Sequence, residues 1–229
     1  MTATTVLFED EGLLVVDKPS GLLVHGGASV DEDDLVARLE REGHGRLNPV
    51  HRIDRATSGV LLLAKSSARA RQIAARFAER TVTKVYWALV RGVLEAERVE
   101  VDHPVPKDEG QARVPARSTL RMLASARVED SPLREKRYAL VEVVPHTGRF
   151  HQVRRHAKHL GHPIIGDTTY GRSEHNRFVA GSFGLARLAL HARRLSIEPW
   201  LEVTSPLPED LAGPLRALGF DGATLRGEP

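Results

Sequence analysis

One carboxylate, Asp54, stands in the run His51-Arg52-Ile53-Asp54-Arg55-Ala56-Thr57-Ser58-Gly59, which leads straight into the apolar Val60-Leu61-Leu62-Leu63-Ala64. An acid at the mouth of a core strand, with Arg52 and Arg55 beside it, should stay ionised at neutral pH, because nearby positive charge favours the charged form. The same arginines can hold a polyanion over it. The combination predicts carboxylate chemistry on a phosphate-bearing substrate. An Asp in this setting also fits a plain turn residue that bonds its own backbone, so other windows must decide.

Two windows bear on it. In Lys84-Val85-Tyr86-Trp87-Ala88-Leu89-Val90, strand alternation puts Lys84, Tyr86 and Ala88 on one face and Val85, Trp87 and Leu89 on the other. Trp87 then suits the core, and Tyr86 either lines a wet cleft, stacking on a base at about 1–3 kcal/mol, or packs as a rim tyrosine. In Pro145-His146-Thr147-Gly148-Arg149-Phe150-His151-Gln152-Val153-Arg154-Arg155, a Thr-Gly turn leads into a basic helix. Its free N–H groups and dipole favour a phosphate or carboxylate, and Arg154 could pair with Asp54 across a cleft. The spacing of His151, His156, His159 and His162 invites a metal centre. No His-Glu-x-x-His helix and no local carboxylate completes one, so no metal is expected. Asp167 suits a structural role through an arginine.

Composition narrows the setting. The chain has 229 residues, 41% of them hydrophobic, and no cysteine, which removes disulfides and thiolate chemistry. Residues 1–50 carry 4 Lys/Arg and 10 Asp/Glu, whereas residues 51–91 and 149–194 each carry 9 and 2. Such segregation fits a nucleic-acid binder, and less well a set of solvated helix faces. No signal peptide or membrane-spanning apolar run is read, so the expected location is the cytoplasm. The glycines match neither a phosphate-cradling loop nor a dinucleotide fingerprint, so no nucleotide cofactor is expected.

The elements that must position these residues read as follows. Strands are predicted at Val6–Phe8, Leu13–Val16, Val60–Ala64 and Thr81–Val90, then near 98–101, 117–124, 137–144, 188–197 and 200–204. Leu22–His25 should continue extended after a Lys18-Pro19-Ser20-Gly21 turn. Helices are predicted after an Asp33 cap and stopped by Gly43, from Ser66 or Ser67, from about Phe150 to Leu160, and near 208–218. The segment 104–116 reads as a surface loop. Many strands with few helices predict an α+β domain on a mixed, mostly antiparallel sheet.

His51-Arg52-Ile53-Asp54-x-x-Thr57-Ser58-Gly59, Lys84-x-Tyr86-x-Ala88-Leu89-Val90 and Thr147-Gly148-Arg149-x-His151-Gln152-Val153-Arg154 resemble the three signature motifs of one pseudouridine synthase family. It is the family that modifies ribosomal and transfer RNA and carries a His-Arg-Leu-Asp motif. Lys18-Pro19-Ser20-Gly21 and Gly161-His162-Pro163-Ile164-Ile165-Gly166-Asp167 match it too, over roughly residues 5–205 in the right order. The resemblance implies the catalytic fold of that family, with an RNA-binding active-site cleft, and isomerisation of uridine without cofactor or metal. Asp54 would be the catalytic carboxylate, Tyr86 would stack on the uracil, and Arg154 would pair with Asp54. RNA contacts are expected from Arg52, Arg55, Lys84, Arg149, His151, Gln152 and Arg155. Ile53 replaces the usual Leu, and Phe150 stands where a small polar residue is common. A single domain over 1–229 is expected, because the fifty residues before the motif leave no room for the accessory RNA-binding domain of many ribosomal members. That favours a tRNA partner. The stretch from Gly171 to Ala192, with Asn176 and Arg187, resembles a branch that modifies uridine 65 of a tRNA; no protein partner is read.

Overall fold

The computed structural model describes residues 4–26 and 34–227. The first half runs β1 (Thr5–Glu9), β2 (Leu13–Lys18), α1 (Leu35–Leu39), β3 (Asn48–Pro49), β4 (Ser58–Ala64), α2 (Ser67–Ala78), β5 (Val82–Arg91) and β6 (Arg98–Asp102). Then come β7 (Val105–Pro106), β8 (Arg113–Val114), β9 (Arg117–Arg127), β10 (Arg137–Pro145), α3 (Gln152–His159) and α4 (Ser173–Phe183). The chain closes with β11 (Leu190–Ile197), β12 (Leu201–Thr204), α5 (Glu209–Ala217) and α6 (Gly222–Arg226). It divides into two compact units, Met1–Lys84 with Ala192–Ser205, and Val85–His191 with Pro206–Pro229. No helix among the described residues is long and apolar enough to cross a membrane.

In the first unit the strand order is β1-β2-β4-β11, with β3 added to β4 and β12 to β11. The β1/β2, β2/β4, β3/β4 and β11/β12 pairs are antiparallel. Every residue of β4 is buried, as its unbroken apolar run requires of a strand covered on both faces. Val60 and Leu62 join Leu13 and Val15, Ile73 of α2, and Leu195, Ile197, Leu201 and Val203 in one core. Each such side chain contributes about 1.5–3 kcal/mol on burial. Ser66 caps α2, accepting from the Arg69 N–H at 3.1 Å. Gly59 has φ of 110°, and a Cβ there would lie 2.3 Å from the Ala192 carbonyl oxygen, so only glycine fits this approach of β4 to β11.

Asp33, expected as a cap, lies outside the described residues. Asp34 caps α1, accepting from the Ala37 N–H at 2.8 Å. A π-helical turn over Glu40–His44 follows, in which Gly43 takes φ of 99°. Leu22–His25, expected to continue extended, joins no ladder. Its Leu23 and Val24 carbonyls instead accept the Leu35 and Val36 N–H groups at 2.9 and 3.2 Å, satisfying donors that a helix start leaves open.

The second unit orders its strands β5-β10-β9-β6, all three neighbouring pairs antiparallel. Several elements depart from the sequence reading, among them the short helix α6 beyond the one expected near 208–218. Segment 104–116 holds a small hairpin, β7 with β8, pairing Val105 with Val114 and Pro106 with Arg113. Helix α4 was not expected at all. It buries only His175 and Val179 and has no side-chain cap, so its sequence shows little apolar period.

Candidate active site

Asp54 is half-buried, and its turn is fixed from several sides. The Asp54 carbonyl accepts the Thr57 N–H at 3.0 Å, so the turn residue also bonds locally. Lys18, fully buried, donates its Nζ to the carbonyls of Pro19, Leu22 and Arg55 at 2.8, 2.7 and 3.1 Å. Ser20 Oγ donates to the Ala56 carbonyl at 2.7 Å, and the Gly21 N–H donates to the Arg55 carbonyl at 2.8 Å. Arg55 Nε returns a bond to the Gly21 carbonyl at 2.8 Å. The Lys18–Gly21 turn is therefore latched onto the residue after Asp54. Lys18 is a positioning residue that the sequence reading left as part of a turn; its signal was a lysine closing an apolar strand before Pro-Ser-Gly.

His51 fastens the other side. Its Nε2 accepts the Leu62 N–H of β4 at 3.0 Å, which places the ring hydrogen on Nδ1. Burial, reinforced by the nearby Lys84 charge, pushes the imidazole down to about 3, so it stays neutral. Lys84, expected as an RNA contact, is instead drawn into the fold. Its ammonium lies 5.9 Å from the Phe77 ring centroid, and burial pushes it below the ordinary lysine value. Arg52 and Arg55 are exposed, as a polyanion contact requires.

In the second unit, Tyr86 on β5 is buried to 8% exposure and pairs in register with Val143 of β10. Arg149, His151, Gln152, Arg154 and Arg155 gather at the start of α3. His151 holds a left-handed φ of 53°, a conformation costing a non-glycine residue on the order of 1 kcal/mol. It stacks on Phe150 with centroids 3.8 Å apart, and its Nδ1 meets the Tyr170 hydroxyl at 3.1 Å.

Gln152 is not placed as an RNA contact. It is 4% exposed, and its amide makes all four of its hydrogen bonds inside the fold. Oε1 accepts from Thr147 Oγ1 at 2.6 Å and the Arg149 N–H at 3.1 Å. Nε2 donates to the Arg117 carbonyl at 2.8 Å and Ser118 Oγ at 2.9 Å. Ser118 in turn donates to His156 Nδ1 at 2.9 Å, and His156 Nε2 donates to the His103 carbonyl at 2.9 Å. Burial keeps His156 below its ordinary value despite the raising effect of that carbonyl. The Thr147-Gly148-Arg149 loop is thus shaped by buried groups behind it.

Arg154 is 7% exposed and clasps Asp167, 2% exposed, with Nε at 2.7 Å and Nη2 at 2.9 Å. The structural role expected of Asp167, through an arginine, is what the fold shows. Asp167 Oδ1 also accepts the Thr169 and Tyr170 N–H groups, each at 2.9 Å. Burial raises the Asp167 carboxyl, but Arg154 and these N–H groups outweigh it and hold it below the usual value. Asn176 of α4 locks the turn, accepting the Gly166 N–H at 2.8 Å and donating to the Asp167 carbonyl at 2.9 Å. The unexpected helix therefore supports the arginine.

The four histidines of the metal reading disperse. His151 meets Tyr170, His156 meets Ser118 and His103, His159 stacks on His103, and His162 Nδ1 bonds the Arg91 carbonyl at 2.9 Å. Among the described residues no three His, Cys, Asp or Glu side chains form a group that could hold a metal ion.

Known proteins resemble this chain in sequence and in fold. Residues 12–159 match the family model described as RNA pseudouridylate synthase. The tRNA pseudouridine synthase C of Pasteurella multocida (strain Pm70) is 41% identical over 203 residues, 83% of this chain and 84% of the relative. The ribosomal large subunit pseudouridine synthase C of Vibrio cholerae is 38% identical over 90% of this chain and 66% of the relative. The structure of human RNA pseudouridylate synthase domain containing 4 superposes with a TM-score of 0.76 at 28% identity, covering 93% of this chain and 92% of that one. With the model spanning both motif-bearing units and relatives this similar along most of their length, the chain belongs to the RNA pseudouridylate synthase family.

Proposed function

We propose that this isomerase converts a uridine of tRNA, at position 65, to pseudouridine in the cytoplasm, with Asp54 as its catalytic carboxylate. The observation that supports the assignment is the Asp54 turn, whose neighbours are held on one side by Lys18 and on the other by His51 against β4. In the reaction the C1′–N1 bond of the nucleotide breaks, the uracil turns over, and a C1′–C5 bond forms. The proton on C5 leaves and N1 regains one, so no oxidant, reductant or second substrate is consumed. Arg154, oriented by Asp167, pairs with Asp54, and Tyr86 stacks on the turning base. The target must leave its stack, which costs a few kcal/mol. Stacking on Tyr86 and phosphate contacts from Arg52, Arg55, Arg149 and Arg155 offset that. The tRNA assignment draws on the relatives named for that substrate.

A ribosomal RNA target is the second reading, favoured by the Vibrio cholerae relative. Mapping pseudouridines by chemical adduct and primer extension, in RNA from cells with and without the gene, separates the two. Loss of the tRNA modification is expected; an unchanged tRNA beside a lost ribosomal site would transfer the assignment. Asp54→Ala should abolish tritium release from 5-tritiated uridine in tRNA while RNA binding persists. Full activity in that variant would remove Asp54 from the chemistry.

A further inference from the structure

The hairpin in segment 104–116 and the outer face of α3 enclose a cleft of about 250 Å³, lined by His103, Arg113, Arg155, Lys158, His159 and Tyr170 with Pro104 and Val105. None of these lining residues is acidic. Asp102 adjoins His103 in sequence, and Asp108 and Glu109 occupy the hairpin tip outside the lining. Among the described residues, Arg113, Arg155 and Lys158 are not paired with any carboxylate. Arg113 Nη1 meets His103 Nε2 at 3.3 Å, and Arg155 and Lys158 lie 4.9 and 5.7 Å from the Tyr170 ring centroid. The Arg155 Nε is buried with no hydrogen-bond partner. His103 and His159 stack 3.8 Å apart, nearly parallel. The hairpin is held in place by the Phe150 N–H, which donates to the Pro106 and Lys107 carbonyls at 3.2 and 3.3 Å, and by His156 on the His103 carbonyl.

Three cationic side chains, Arg113, Arg155 and Lys158, converging on one concavity repel one another, and an anion entering it relieves that repulsion. Two planar guanidiniums suit the oxygens of a phosphodiester. Tyr170 is shared, since its ring centroid also lies 5.0 Å from the Arg154 guanidinium. We propose that this cleft is a subsite for a backbone phosphate of the RNA next to the target nucleotide, gripped by Arg113, Arg155 and Lys158. The inference rests on the RNA-modifying function proposed above and gives segment 104–116 its role.

The test uses the full chain with tRNA transcript, comparing wild type, Arg113→Ala/Lys158→Ala, and a control, Arg98→Ala/Arg127→Ala, that removes the same charge from exposed pairs elsewhere. Binding is measured across a KCl series, and the single-turnover rate at saturating tRNA. The subsite variant should bind about tenfold or more weakly at low salt. Its slope of log K against log salt should be shallower by about 0.7–0.9 per lost contact. Its saturating rate should stay near wild type, as should the control's binding. Equal affinity and slope in both variants would overturn the subsite, and so would a loss of saturating rate with unchanged binding. A measurement on unmutated protein guards against misfolding: acetic anhydride labelling of Lys158 should be blocked by tRNA and not by inorganic phosphate at equal phosphate concentration. No protection, or equal protection by both, counts against an RNA subsite. Wild-type protein that forms no pseudouridine in tRNA would instead overturn the proposed function, which the rate measurement reads separately.

Discussion

Arg154 and Asp167 form a buried ion pair in which the carboxylate accepts two guanidinium N–H groups and two backbone N–H groups. Removing one member of such a pair leaves the other charge uncompensated and costs about 3–5 kcal/mol. Asp167→Asn should therefore lower urea-unfolding stability by about that much. If Arg154 serves Asp54 as proposed, turnover in tritium release should fall more than tRNA affinity. Unchanged stability in the variant would mean that the pair does not hold Arg154 in place. Asp54 and Tyr86 stood out as candidates because their types are unusual beside apolar strands, and Arg154 because it lies on a basic helix after a Thr-Gly turn. The partner that orients Arg154 was legible only as an expectation that Asp167 meets some arginine. Lys18 was read only as part of a turn, because its place at the end of an apolar strand does not by itself show that its ammonium turns inward onto backbone carbonyls.

At the scale of the element, α3 depends on one amide. Gln152→Ala would leave the Thr147 hydroxyl and the Arg149 N–H without the acceptor they share, while the Arg117 carbonyl keeps the His146 N–H and Ser118 keeps His156. Each buried group so stranded costs about 1–3 kcal/mol when no water replaces the bond. The variant should melt at a clearly lower temperature by circular dichroism, and a melting point equal to wild type would show that water substitutes freely. The extent of α3 was readable from its basic periodicity, predicted over 150–160 and found at Gln152–His159. The work of Gln152 was not, because its partners Arg117 and Ser118 sit 35 and 34 residues away, beyond any local pattern. Helix α4 escaped for a related reason: Asn176 matters through the Gly166–Asp167 turn, and its own helix has almost no apolar face.

Across the whole molecule, His51, His156 and His175 are all held below the ordinary histidine value, burial being the leading cause for each. The unfolded chain binds protons at these sites more readily than the folded one. Stability is therefore fully present above about pH 6.5 and falls as pH drops below it. With His51 pushed down to about 3, that residue alone should remove roughly 2 kcal/mol between about pH 7 and pH 5. Urea unfolding at both pH values checks this, and a flat profile would mean that the histidines are hydrated or charged in the native state. The α+β class and mostly antiparallel sheet were readable from strand alternation, whereas the β7–β8 hairpin was hidden by its charged and proline-rich residues. That hairpin carries one more consequence. It is tied through His103, His156, Ser118 and Gln152 to the Thr147–Arg149 loop by a continuous line of side chains. The line acts as a strut that couples the hairpin to the loop, so that under the proposed subsite the two would meet the RNA as a single jaw.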